Sequence, residues 1–129
     1  MFSKKEAFDV VVVGAGPGGS MAAWAAAERG LDVLMIEKDR EIGVPVRCAE
    51  GVGADVIQRF IDPDPHWISS EIQGVRIYAP SGDSVAFTEE GMGYVLERRV
   101  FDRALANRAG QAGAEGRVGT RATGLAFNE

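Results

Sequence analysis

The chain holds one cysteine, Cys48, and one histidine, His66, among its 129 residues. One cysteine excludes an internal disulfide framework, and a single histidine beside it offers no zinc-type ligand cluster. Basic residues are outnumbered, 14 Lys and Arg against 19 Asp and Glu, and the net charge of −5 speaks against a nucleic-acid surface. No apolar run approaches the roughly 18 residues that a membrane-spanning helix needs. The opening residues, Met-Phe-Ser-Lys-Lys-Glu-Ala-Phe-Asp, run straight into a strand pattern and lack a signal peptide's separate apolar core and cleavage site. A cytoplasmic globular protein is the expectation, with a length that suits one domain and a real core.

Glycine, by contrast, is plentiful, at 17 residues. Residues 9–13 are a short β-branched run that reads as a buried parallel strand. Gly14, Gly16 and Gly19 then give G-x-G-x-x-G. An Ala-rich helical stretch follows to Gly30, then a second apolar run from Val33 to Ile36, closing on Glu37. Glu37 lies 23 positions after Gly14 and 18 after Gly19, bracketing the spacing of about 20 expected of a ribose-binding acid. Gly14 permits the tight turn, Gly16 lets backbone approach a pyrophosphate, and Gly19 lets the helix lie close on the strands. The helix N-terminus presents unpaired N–H groups and a positive dipole end. Glu37 accepts hydrogen bonds from ribose hydroxyls and repels a 2′-phosphate. Alone, the glycines would equally suit a turn in an unrelated α/β protein. With a strand before, a helix after and the acid in place, they read as a dinucleotide-binding βαβ unit.

Further along, residues 17–29 read as a helix with Gly18, Ala22, Ala25 and Ala26 as its small packing face, and Met21 and Trp24 as core. Residues 38–51 are a polar loop at the carboxyl end of a strand, where open α/β sheets bind ligands. Residues 54–61 read as a short helix stopped by Asp62-Pro63-Asp64-Pro65. Residues 72–79 and 84–88 read as a hairpin around Pro80-Ser81-Gly82-Asp83, and 94–96 as a short strand. Residues 98–112 read as an amphipathic helix ended by Gly113, and 117–127 as a strand weakened by Gly119 and Gly124.

Among single residues, Cys48 reads either as a buried small hydrophobe or as a site thiol whose pKa a neighbouring cation, such as Arg47, lowers. Arg98 and Arg99 open a helix, where positive charge is unfavourable, so either an anion lies nearby or both are solvated. His66 reads as a surface or packing residue, and Glu89-Glu90 as a solvated turn.

Together these pieces resemble the N-terminal part of the geranylgeranyl reductase family of flavoproteins, within the group sharing the p-hydroxybenzoate hydroxylase fold. The match lies in the stretch from Asp9 to Ser20, in Ile36-Glu37-Lys38, in Tyr94-Val95-Leu96-Glu97-Arg98 with Phe101-Asp102, and most specifically in Pro45-Val46-Arg47-Cys48-Ala49-Glu50-Gly51. The resemblance implies an α/β fold over 1–129, a Rossmann-like FAD-binding domain with a parallel sheet and βαβ unit that carries an inserted β-hairpin. It implies FAD held at its pyrophosphate by Gly14, Gly16 and Gly19 and at its adenosine ribose by Glu37. It places Cys48, Ala49 and Gly51 toward the flavin, Arg98 at the cofactor's middle, and the backbone of Ala122, in the last strand, beside the adenine. Cys48 is also the candidate catalytic residue.

The implied activity is reduction of isoprenoid double bonds in lipid or pigment precursors, and a lipid substrate implies peripheral membrane contact. The electron donor is not written in these residues. Two other readings stand beside it: a monooxygenase or halogenase on the same fold, and a non-catalytic nucleotide-binding module. The family's second FAD motif, a Gly-Asp-Ala stretch, and its prenyl-binding domain have no counterpart in 1–129. The expectation is therefore a fragment of a larger reductase, covering its first third.

Overall fold

The computed structural model describes residues 7–48 and 50–127. Its elements run β1 (Val10–Val13), α1 (Pro17–Ala27), β2 (Val33–Ile36), β3 (Gly51–Gly53), α2 (Ala54–Ile57), β4 (Ile68–Tyr78), β5 (Ser84–Leu96), α3 (Arg98–Gln111) and β6 (Glu115–Arg117). They form two compact units, one of residues 1–46 with 101–129 and one of residues 47–100.

The first unit is the expected parallel sheet, in the order β1-β2-β6. Val10 pairs with Val33 and Val13 with Ile36, while Leu34 pairs with Glu115 and Ile36 with Arg117. All four residues of the central strand β2 are buried, as a strand flanked on both sides requires. Its core gathers Val33 and Met35 with Ala23 and Ala27 of α1 and Ala106 and Ala109 of α3; Val10 and Val12 pack against them.

Expectations for β1 and α1 are corrected here. The strand read as buried over residues 9–13 is covered on one face only, since Val11 and Val13 are 53% and 66% exposed. The helices' core takes Val10 and Val12, and strand alternation turns their neighbours away from it. In α1 the buried stripe is Ser20, Ala23 and Ala27, whereas Gly18 and Ala22 are exposed. With small residues on every side of this helix, composition does not select a face.

The second unit is an antiparallel sheet in the order β3-β5-β4. The hairpin is longer than its sequence pattern, because β5 runs on through residues 94–96 to Leu96. Its turn closes through the Ala79 N–H donating to the Asp83 carbonyl at 2.8 Å. Ile72 pairs with Gly93 and Gly74 with Thr88, so residues 89–92 stand opposite Gln73 alone. Glu89 and Glu90 thus sit in an exposed bulge of β5, not in a turn between elements. Trp67 is 2% exposed, and its carbonyl accepts the Glu97 N–H at 2.8 Å. The helix expected over 54–61 stops at Ile57 and continues as turns into the prolines. β3 escaped sequence reading, being three residues long with glycine at both ends. Among the described residues, no helix is long and apolar enough to cross a membrane.

Candidate functional site: a glycine loop fastened to an acid

The loop between β1 and α1 turns at Gly14, whose φ of +103° suits glycine. Gly14 donates its N–H to the Ile36 carbonyl at 2.8 Å, which ties the turn to the end of β2. Gly19 is required by proximity, because a Cβ there would stand 1.8 Å from the Gly14 carbonyl oxygen. Gly16 is different. A Cβ on it would meet nothing within 4 Å, so its backbone faces open space. Gly16 caps α1 without a side-chain hydrogen bond, and Pro17 follows it at the helix start. The first-turn N–H groups of Gly18 and Gly19 therefore point out of the helix end. Ser20, one turn in, is fully buried, with its hydroxyl donating to the Ala15 carbonyl at 3.1 Å.

Glu37 follows β2 directly. Its Oε2 accepts the Ala15 N–H at 2.9 Å and its Oε1 accepts the Asp39 N–H at 3.0 Å. Partial burial pushes its pKa up, but the two backbone donors, aided by Lys38, outweigh that and the repulsion of Asp39, holding it below the ordinary value of 4.5. A carboxyl with a depressed folded pKa stabilises the fold above its unfolded value, and that contribution disappears as pH falls through the folded value. The stability gap between the wild type and Glu37→Gln should therefore be widest near neutral pH. It should close as pH drops below about 5, as checked by urea melts at a series of pH values.

Beside Glu37 opens a cleft of about 500 Å³ lined by Ala15, Met35, Ile42, Asn107, Arg117 and Val118 among others. The segment after β6 runs along it. Gly119 donates its N–H to the Asp39 carbonyl at 2.9 Å, and Thr120 donates to the Glu37 carbonyl at 2.8 Å. These bonds correct the strand expected over 117–127. The pairing ends at Arg117, Gly119 has a φ of +62°, and residues 118–127 are irregular. Ala122 accordingly lies on an exposed irregular segment, not in a strand.

The remaining expected site residues belong to the second unit. Gly51 pairs with Val95, and the Leu96 N–H donates to the Glu50 carbonyl at 2.9 Å. Two residues after Leu96, Arg98 opens α3, half-buried. The β3–β5 ladder thereby brings the Cys48 loop alongside the start of α3. Cys48 is a free, exposed thiol, not a buried hydrophobe, and its Sγ accepts the Glu50 N–H at 3.4 Å. Ala49 lies outside the described residues. The structure thus gathers Gly14, Gly16, Gly19 and Glu37 in one unit, with the Ala122 segment tethered beside them. Cys48, Gly51 and Arg98 are gathered in the other. Sequence reading missed Ala15, Asp39 and Thr120, which act here through backbone groups and leave no side-chain signal.

Residues 9–44 match the family model described as FAD dependent oxidoreductase. The chain is 58% identical over 125 residues to the digeranylgeranylglycerophospholipid reductase of Methanocella arvoryzae, covering 94% of this chain and 32% of that protein. It is 55% identical to the reductase of the same name from Methanosarcina acetivorans, covering 97% and 32%. The chain therefore spans about a third of the length of the curated relatives it matches. Among solved structures, a geranylgeranyl bacteriochlorophyll reductase-like protein from Thermoplasma acidophilum superposes with a TM-score of 0.87 at 45% identity, over 94% of this chain and 32% of that one. A flavin-dependent brominase aligns at 24% identity with a TM-score of 0.68, covering 87% and 30%, a likeness of fold alone. In sequence and fold together the chain is similar to the geranylgeranyl reductases among the FAD-dependent oxidoreductases, over about a third of their length.

Proposed function

We propose that this chain is the part of an FAD-dependent reductase that holds the cofactor, and that the whole enzyme saturates isoprenoid double bonds of a lipid precursor. The observation that carries the proposal is Glu37, fixed by two backbone bonds at the mouth of the glycine loop and bordering an open cleft. The residues present fit an adenine dinucleotide. Gly16 leaves room over its backbone, and the uncapped start of α1 offers N–H groups to a pyrophosphate. Each oxygen of Glu37 accepts one N–H and keeps a lone pair, so the carboxylate can still accept both hydroxyls of a ribose diol.

Gly14, Gly16 and Gly19 hold the pyrophosphate, Glu37 the ribose, and the backbone of Ala122 borders the adenine. Cys48, Ala49 and Gly51 serve the flavin end, with Arg98 at the middle of the cofactor, where an anion offsets its charge at a helix start. Bound and reduced, FAD would supply a hydride to one alkene carbon, with a proton completing the addition at the other. Cys48, exposed in its loop, positions the flavin end, and the lipid class follows the relatives' name, digeranylgeranylglycerophospholipid reductase. A lipid substrate brings the enzyme to a membrane surface as a peripheral protein.

The test is the visible spectrum of the purified protein with FAD, before and after dithionite. It is joined to mass spectrometry of a prenylated glycerophospholipid incubated with the full-length enzyme and reductant. A flavin spectrum that bleaches, with lipid gaining one hydrogen molecule's mass per double bond, is the expected result. A flavin that binds and instead inserts oxygen or halide into a substrate would replace this reading with the monooxygenase or halogenase one. Nucleotide binding with no flavin chemistry would favour a non-catalytic module.

A further inference from the structure

We propose that Glu37 is a positioning residue as well as a ribose acid: its carboxylate latches the glycine loop in place, so that the pyrophosphate site stands ready-built before a ligand enters. The latch rests on the bonds that the Glu37 carboxylate makes within the chain, and only its consequence for FAD rests on the reading above. Three segments leave the sheet at this end, after β1, β2 and β6, and Glu37 bonds to all of them. Its Oε2 holds Ala15 of the first and its Oε1 holds Asp39 of the second. Its carbonyl holds Thr120 of the third, and its own N–H donates to the Arg117 carbonyl at 2.8 Å.

Besides the latch, the glycine loop is held by the Gly14 N–H on the Ile36 carbonyl and by the Ser20 hydroxyl on the Ala15 carbonyl, but its own side chains add little. Its residues carry almost no side chain, a Cβ on Gly16 would meet nothing within 4 Å, and Ala15 contributes a single buried methyl. Glycine-rich backbone loses more freedom on ordering than any other, so a loop left loose would charge that loss to ligand binding. A bond from a carboxylate to a backbone N–H is the stronger, charge-assisted kind. Because two of about four lone-pair directions are used, latch and ribose do not compete for the acid. Glutamine cannot reproduce the arrangement. Its amide oxygen can keep Ala15, but its NH₂ cannot accept the Asp39 N–H.

The experiment is residue-resolved amide hydrogen exchange on the ligand-free wild type, Glu37→Gln and Glu37→Leu, alongside titration of each with ADP. In Glu37→Leu the Ala15 and Asp39 amides should exchange about tenfold faster or more, the factor such a bond supplies. In Glu37→Gln the Asp39 amide should accelerate while Ala15 stays near wild type. Amides of Leu34 and Met35 serve as the folding control; if Glu37→Leu also frees those, it has unfolded and the Gln variant decides. Unchanged exchange at Ala15 and Asp39 in a folded variant that has lost ADP would overturn the latch and leave Glu37 a ribose acid alone. Faster exchange in a protein whose wild type ignores ADP would uphold the latch and remove the FAD reading instead.

Discussion

Gly19→Ala is expected to abolish dinucleotide binding and to cost about 3 kcal/mol of stability, the upper end of ordinary overpacking. The new Cβ would lie 1.8 Å from the Gly14 carbonyl oxygen and 3.0 Å from the carbon behind it. Neither atom belongs to a side chain that can rotate away, so either α1 lifts off the sheet or the loop between Gly14 and Gly16 is displaced. Both movements break the site. Lifting α1 draws Ala23 and Ala27 out of the core they share with Val33 and Met35. Displacing the loop breaks the Ala15 bond to Glu37. Against a typical domain stability of roughly 5–15 kcal/mol, such a loss is severe without being certain to unfold the chain. Thermal melts and an FAD titration read the two consequences separately. Gly18→Ala is the natural control, since a Cβ there meets nothing within 4 Å and the position is helical. It should raise stability by up to about 1 kcal/mol through helix propensity.

The second large effect falls in the other unit. A Cβ on Gly93 would lie 2.2 Å from the Val52 carbonyl oxygen and 3.1 Å from its carbon, so Gly93→Ala should drive β3 off β5, again at about 3 kcal/mol. β3 is three residues long and paired only through Gly51, Val52 and Gly53, so losing the Gly53–Gly93 pair leaves little to hold the strand. With it goes the register that sets the Cys48 loop beside the start of α3. The expected signature is faster amide exchange at Val52 and Leu96, whose N–H bonds to Glu50, while amides at Val85 and Phe87 in the hairpin stay protected. ADP should bind this variant as it binds the wild type, because its proposed contacts lie in the first unit. Affinity for whole FAD should fall. Equal loss of ADP and FAD would mean that the Cys48 loop does not serve the flavin end.

The first unit was legible because each of its parts has a one-residue cause. Gly14 needs a left-handed φ, Gly19 cannot carry a Cβ, and the acid must follow β2 at a fixed remove; these leave marks in the sequence. β2 was found to the residue, since an uninterrupted Val-Leu-Met-Ile run suits a strand buried on both faces. The one-sided cover of β1 was not visible, because four valines look alike whether or not a second layer packs on them. The face of α1 was hidden by an excess of small residues. The end of β6 was missed for a different reason: Gly119 and Thr120 give their backbone N–H groups to Asp39 and Glu37 rather than to a neighbouring strand. Thr and Leu further on read as a strand pattern regardless. β3 was below the length at which alternation carries information, and what shapes it is the missing side chain of Gly93 on another strand. Of the candidate site, the chemistry of Glu37 was readable but its bonds to Ala15 and Asp39 were not, since any residue but proline supplies an N–H.

The most direct test asks which half of FAD the glycine-loop unit holds. The measurement is calorimetric titration of the protein with FAD, alone and in the presence of excess ADP or excess FMN. If Gly16, the start of α1 and Glu37 grip the pyrophosphate and adenosine ribose, ADP will bind by itself and compete with FAD, and FMN will do neither. FAD binding that FMN blocks and ADP leaves untouched would contradict this, and would place the cofactor's anchorage away from the glycine loop and Glu37.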